Sequence, residues 1–330
     1  MIKRHSTLLL SLTLIFSAAN SAYAQEQLIV YTSMKESLIG ELKEGFKQQH
    51  PEIAMDYQSA GAGKLMAKIA AEKESGTIMA DIIWTSEVPD FYNMKKNGML
   101  EPYISPEVAN IVNPIPDYDG SFTPVRLGTL GIAYNTRFVK QPPATWQDIL
   151  GPEFKGAYGV ASPALSGTSY MSVALLKSLY GWEYFEKMKE NKGKVGKGSG
   201  QVVDDTASGD LLASLAVDYI TNDKIAKGAT LKLVYPQEML VIPSPVAIMK
   251  GSKNINAAQK FIDFILSEQG QNIIVQEGTL PVRKGISIPE KFAMPSAEEA
   301  IARAIPIDYE SLISNKEETV KQFGRILQGR

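Results

Sequence analysis

The sequence predicts an α/β protein of two lobes around a cleft. Three observations carry the prediction. Short apolar runs of strand type alternate with amphipathic helical stretches, the rhythm of a mostly parallel sheet with helices on its faces. That rhythm breaks twice, first at Pro102, Pro106, Pro114, Pro116 and Pro124 and again at Pro243 and Pro245. Extended stretches near 125–134 and 243–249 accompany the breaks, so two crossings join two αβ units. The partition that follows puts 25–124 and 246–330 in a first lobe with the C-terminal helices, and 125–245 in a second.

The elements follow in chain order. Lys3 and Arg4, an apolar run from Leu8 to Ala19, and Ala22-Tyr23-Ala24 open the chain. A positive start, an apolar stretch and small residues at the cutting positions make a secretory signal peptide, 1–24, cleaved after Ala24. The run is too short to span a bilayer. Without cysteine the cut end carries no lipid, so a carrier free in the periplasm is expected. Gln27 to Tyr31 reads as a buried strand. Glu36 to Gln49 reads as a helix, because Leu38, Leu42 and Phe46 share one face. Ile53 to Gln58 is a strand, and Ser59-Ala60-Gly61-Ala62-Gly63 turns tightly into a helix carrying Leu65, Met66, Ile69 and Ala70. Asp81 to Trp84 is a third strand and Val88 to Asn97 a helix. Past the first break, Leu127 to Tyr134 is extended. Tyr158 to Ala161, Leu211 to Val217 and Leu231 to Tyr235 read as strands, and Thr168 to Leu179 as a helix. Val246 to Met249 is a strand, and Asn254 to Leu266 a helix with Ala258, Phe261, Ile262 and Ile265 inward. The tail past Ser287 is helical between Pro289, Pro295 and Pro306.

Composition removes several functions. A formal charge of −2 leaves no basic excess for nucleic acid or an anionic membrane. Zero cysteine excludes disulfides, thiolate metal sites and a cysteine nucleophile. His50 is the one histidine after the signal peptide, and it reads as a loop residue following a helix. G-x-S-x-G, S-x-x-K and H-E-x-x-H are absent there too, so neither an enzyme nor a cofactor is expected. Trp84, Tyr92, Trp146 and Trp182 read as packing.

Three turns follow a strand and precede a helix: Tyr31-Thr32-Ser33-Met34, Ser59 to Gly63, and Ser166-Gly167-Thr168-Ser169. Ligands of open α/β sheets bind at such turns. A helix start offers unpaired N–H groups and partial positive charge, and small residues let an anion approach. Ordinary N-capping is the other reading of each turn. Thr32, Ser33, Ala60, Gly61, Ser166, Gly167 and Thr168 are therefore candidate contacts, with Ser86 just past the third strand. Lys192 to Gly200 is glycine-rich but fits no phosphate-loop pattern. It reads as a solvated basic loop, or as a second lip of the cleft with Ser199 turned inward. Asp218 and Tyr219 end a strand, and Glu238 follows one. This carboxylate pair could read hydroxyls or an amine, serve as acid and base in a hydrolase, or lie on the surface.

With these positions in hand, the chain resembles a periplasmic solute-binding protein of an ABC transporter. The resemblance runs through Leu28-Ile-Val-Tyr31, Ala80-Asp-Ile-Ile-Trp84, Ala161 to Thr168 and Ala247 to Asn254. It is similar to the branch of ferric-binding and hexose-phosphate-binding proteins. The resemblance implies the two-lobed periplasmic-binding-protein fold of class II type, closing on its ligand and delivering it to a permease, as a monomer. It implies that Ser166 and Gly167 hold a phosphate. In the ferric branch paired tyrosines and a histidine hold the metal; here Asp218-Tyr219 and Met34 stand there, so a ferric site would rest on Asp218 and Tyr219. In the hexose-phosphate branch a His-Asp-Tyr run and a Tyr-Pro-x-Glu run contact the ligand. Here they read Val217-Asp218-Tyr219 and Tyr235-Pro236-Gln237-Glu238. The leading expectation is a small anionic solute, phosphorylated or phosphonate-like; iron with a synergistic anion and a hydrolase are the rivals.

Overall fold

A computed structural model describes residues 26–329; the candidate signal peptide lies outside the described residues. The chain opens with β1 (Glu26–Thr32), α1 (Glu36–Gln49), β2 (Ile53–Ser59), α2 (Ala62–Glu74), β3 (Ile82–Trp84), α3 (Val88–Lys96) and β4 (Leu100–Glu101). A long strand, β5 (Thr123–Asn135), crosses to the second lobe. There follow β6 (Tyr158–Ala161), α4 (Gly167–Tyr180), α5 (Glu183–Glu190), β7 (Lys194–Gly196), α6 (Ser199–Ser208), β8 (Ala213–Val217), α7 (Asp218–Ala226) and β9 (Leu231–Val234). β10 (Leu240–Met249) crosses back, and α8 (Ile255–Leu266), α9 (Glu268–Gln276), β11 (Leu280–Pro281), α10 (Ala297–Ala302), α11 (Tyr309–Ser314) and α12 (Lys316–Gln328) complete the chain.

One sheet runs through both lobes in the order β2-β1-β3-β10-β5-β8-β6-β7. β1 is parallel to β2 and β3, and β6 is parallel to β7 and β8. The two crossings, β5 and β10, pair antiparallel with each other, from Leu240 opposite Leu130 to Val246 opposite Thr123. Every residue of both strands is buried, which is why they read as near-continuous apolar runs. The prolines at 243 and 245, expected to interrupt, lie inside β10. A register shift between Ser244 and Pro245 absorbs the lost donor, as a bulge does.

Each lobe has its own core. In the first, Leu38, Leu42 and Phe46 of α1 meet Phe261 and Ile265 of α8 over Leu28 and Val30. Phe46 stands edge-on to Phe261, with centroids 5.3 Å apart. Leu65, Ile69 and Phe91 cover the opposite sheet face with Tyr31 and Ile83. In the second lobe Trp146, Tyr158, Tyr170 and Phe185 pack around Ile132 and Leu215. Trp84 and Trp146 are fully buried, so the packing reading of these tryptophans holds.

The tail divides between the lobes. Ala297 and Ala300 of α10 join the first core, whereas Leu312 and Phe323 join the second. Phe323 meets Phe185 edge-on at 5.5 Å. The expectation that all of 246–330 belongs to the first lobe therefore fails for its last helices. The apolar face of α12 is complementary to that of α5, and no periodicity in the tail reveals which partner it takes.

Candidate anion-binding cleft

Six helices begin at the cleft between the lobes. Ser33, Met34 and Lys35 lead into α1, Ser59 to Ala62 into α2, and Ser86 precedes α3. Facing them are Leu165 to Thr168 at α4, Gly198 to Gly200 at α6, and Tyr219 with Ile220 at α7. Arg126 of β5 forms part of the floor. The cleft volume is about 310 Å³, and it is open to solvent on one side. This convergence follows from topology: parallel strands deliver every strand-to-helix turn to one edge of the sheet.

The capping alternative can be weighed helix by helix. Lys35, Gly61 and Gly198 occupy the N-cap positions of α1, α2 and α6, and none makes a side-chain cap bond. Ser166 caps α4 through a long bond from the Ser169 N–H, 3.4 Å. The first N–H groups of these helices thus keep their capacity for an anion. Across the two helix starts of the second lobe, three hydroxyls form a triangle. Ser166 Oγ lies 3.0 Å from Thr168 Oγ1 and 3.0 Å from Ser199 Oγ, and the latter two are 3.1 Å apart. Within 192–200 the lysines at 192, 194 and 197 are exposed as in a solvated loop, while Gly198 to Gly200 line the cleft.

Tyr219 lines the cleft, and its hydroxyl accepts a bond from the Lys35 N–H, 3.3 Å. The phenol proton remains free to donate, and burial pushes its pKa above the usual range, so it stays protonated at neutral pH. Thr32, a sequence candidate, does not line the cavity. Its fully buried hydroxyl accepts from the Met34 N–H, 3.0 Å, and so shapes the turn. Ser59 supports the same turn by donating to the Met34 carbonyl, 2.7 Å.

Asp218 also stands behind the wall. It is fully buried, receiving the Thr129 N–H at 2.9 Å, the Thr279 hydroxyl at 2.8 Å and the Tyr219 N–H at 2.6 Å. Arg126 Nη1 lies 3.6 Å from it. Burial pushes the Asp218 carboxyl up, opposed by Arg126 and these donors. Both oxygens are occupied, which leaves little for a metal. Glu238 is exposed and outside the cleft lining; its carbonyl accepts from Trp146 Nε1, 2.8 Å. The proposed carboxylate pair is therefore not assembled.

Sequence reasoning missed Arg126 and Lys35. Arg126 is fully buried, sits 4.8 Å over the Tyr219 ring, and donates to Thr279 Oγ1 at 2.5 Å and weakly to Ser86 Oγ at 3.4 Å. Ser86 in turn bonds Ser244 of β10, 2.7 Å. The Nε of Arg126 has no hydrogen-bond partner among the described residues. A charge inside the otherwise apolar run 125–134 was the available signal.

The lobes touch at the rim. A Cβ built on Gly61 would stand 2.8 Å from the Leu165 carbonyl oxygen, and one on Gly167 would meet Glu87 at 2.8 Å.

Residues 77–315 match the family model of bacterial extracellular solute-binding proteins. The chain belongs to that family. Its members bind small solutes and work with ABC permeases. Over 258 residues, 71% of each chain, it is 26% identical to a Salmonella typhimurium periplasmic protein named for 2-aminoethylphosphonate binding. Its fold matches AfuA of Actinobacillus pleuropneumoniae, solved with fructose-6-phosphate, at a TM-score of 0.76 and 23% identity over 92% of this chain and 98% of that one. It matches iron-bound HitA of Pseudomonas aeruginosa at 0.77 and 22% identity, over 91% and 99%. These two likenesses concern the fold, and the fold is the two-lobed one expected.

Proposed function

We propose that this chain is the periplasmic substrate-binding component of an ABC importer, a monomer that closes on a small phosphorylated or phosphonate-like anion without transforming it. The observation that carries this reading is the hydroxyl triangle of Ser166, Thr168 and Ser199 across two helix starts. Three donors converging from one side suit the three terminal oxygens of a tetrahedral phosph(on)ate. Ser33, Ala60 and Gly61 approach from the first lobe, so ligand contact from both sides favours closure. The Salmonella relative supports a phosphonate-type solute. Iron has less support, because Asp218 is walled in with both oxygens already bonded.

Thermal-shift screening of the secreted protein tests the reading. Sugar phosphates, alkylphosphonates and inorganic phosphate are compared, and a ligand at 100 times its Kd adds about 2.7 kcal/mol. Stabilisation by at least one phosph(on)ate is expected. A flat response to all of them, alongside a shift with Fe(III), would replace it with the metal reading.

A further inference from the structure

Charge around the cleft is unevenly partnered. No aspartate or glutamate occurs among the described lining residues, while Arg126 and Lys35 both do. The polar side chains of the lining are six Ser and Thr hydroxyls, the Tyr219 phenol and two cations, none of them an anion. The acids nearby are already engaged. Asp218 faces Arg126, and Glu87 pairs with Lys316. Beside Lys35, Asp204 bonds Lys224 at 2.5 Å and Asp223 bonds Lys227 at 2.7 Å. No hydrogen bond or ion pair reaches the Lys35 ammonium among the described residues. Lys35 is thus a half-buried surplus cation in the same cleft lining as the hydroxyl triangle. Independently, the fully buried Arg126, also in the lining, keeps an unpartnered Nε among the described residues.

A simple phosphonate would occupy the triangle and leave this surplus unanswered. A solute ending in an ammonium would bring a further positive charge beside Lys35 into a partly desolvated space, where like charges a few ångström apart repel. We propose that the cleft selects solutes with two anionic ends, a phosphate or phosphonate seated on Ser166, Thr168 and Ser199 and a carboxylate read by Lys35 with help from Arg126. This rests on the proposed phosph(on)ate reading and narrows it to phosphorylated or phosphono carboxylic acids. It also separates this chain's specificity from the aminophosphonate in the name of its Salmonella relative.

Isothermal titration with three two-carbon phosphonates tests it: phosphonoacetate, ethylphosphonate and 2-aminoethylphosphonate. Phosphonoacetate is expected to bind at least tenfold tighter than ethylphosphonate, and 2-aminoethylphosphonate more weakly than either. Lys35→Gln should collapse the phosphonoacetate advantage over ethylphosphonate to within about threefold, and Lys35→Arg should restore it. A urea midpoint close to that of the unsubstituted protein shows that the variant folds. Equal or tighter binding of 2-aminoethylphosphonate overturns the two-anion proposal and leaves the phosphonate reading standing. Failure of all three probes and of inorganic phosphate overturns both.

Discussion

Thr168 carries two separable consequences. Its hydroxyl belongs to the triangle, and its backbone sits in the first turn of α4, where valine is tolerated at small cost. Thr168→Val removes one donor and keeps the shape. A hydrogen bond to a charged group contributes about 1.5–3 kcal/mol, so affinity for the phosph(on)ate ligand should fall roughly 10- to 100-fold with the unliganded unfolding midpoint nearly unchanged. Titration and urea melts on the same preparation check both halves. Arg126 predicts the reverse balance. Arg126→Met leaves Asp218 fully buried without its cation and Thr279 without its donor. Breaking such a pair costs about 3–5 kcal/mol, which urea unfolding of the ligand-free protein should register directly.

The helix starts explain both what the sequence made legible and what it hid. Ser166-Gly167-Thr168 could be found because small hydroxyl residues fall directly between an apolar strand and an amphipathic helix. Ser199 was ambiguous because β7 has three residues and α6 is preceded by glycines, too little periodicity to separate loop from element. Asp218 was placed correctly at a strand end. Its burial was not visible, because the partners Thr129, Thr279 and Arg126 come from β5 and from just past α9, far along the chain. Lys35 stands before α1 without capping it, a local anomaly whose meaning depends on which acids nearby are already paired. Gly61 gives the element-scale prediction. Its φ of −58° suits any residue, so Gly61→Ala should not strain the backbone. The added methyl would stand 2.8 Å from the Leu165 carbonyl across the cleft, and only a slight parting of the lobes relieves that. Ligand affinity should fall at least tenfold, while ligand-free stability changes by less than about 1 kcal/mol. Unchanged affinity would mean that the rim contact is not part of the bound state.

The whole molecule adds a second coupling between the lobes, through its tail. α12 packs on the second lobe by Phe323, yet its first residue, Lys316, reaches α3 of the first lobe. There it ion-pairs with Glu87 and, at 2.7 Å, with Asp90, both buried. Tyr170 of α4, whose ring lies 5.8 Å from the Lys316 ammonium, is the remaining titratable neighbour, held protonated by burial. Two carboxylates share one ammonium. Burial, with Asp90 close by, lifts Glu87 from 4.5 to about 7 against the pull of Lys316. Burial lifts Asp90 as well. Parting the lobes would hydrate Glu87 and return it toward its ordinary range, so the closed form holds more protons between about pH 4.5 and 7. A carboxyl raised in the closed state contributes most to closure below its ordinary pKa. The contribution is lost as pH rises through about 7. With closure coupled to ligand binding, as proposed, affinity should weaken from pH 5.5 to 7.5 by about tenfold beyond whatever the ligand's own ionisation contributes. The ratio of wild-type to Glu87→Gln affinity, measured with one ligand at each pH, cancels that ionisation. It should fall across this window, and a ratio independent of pH would show that Glu87 keeps the same protons whether the lobes are together or apart.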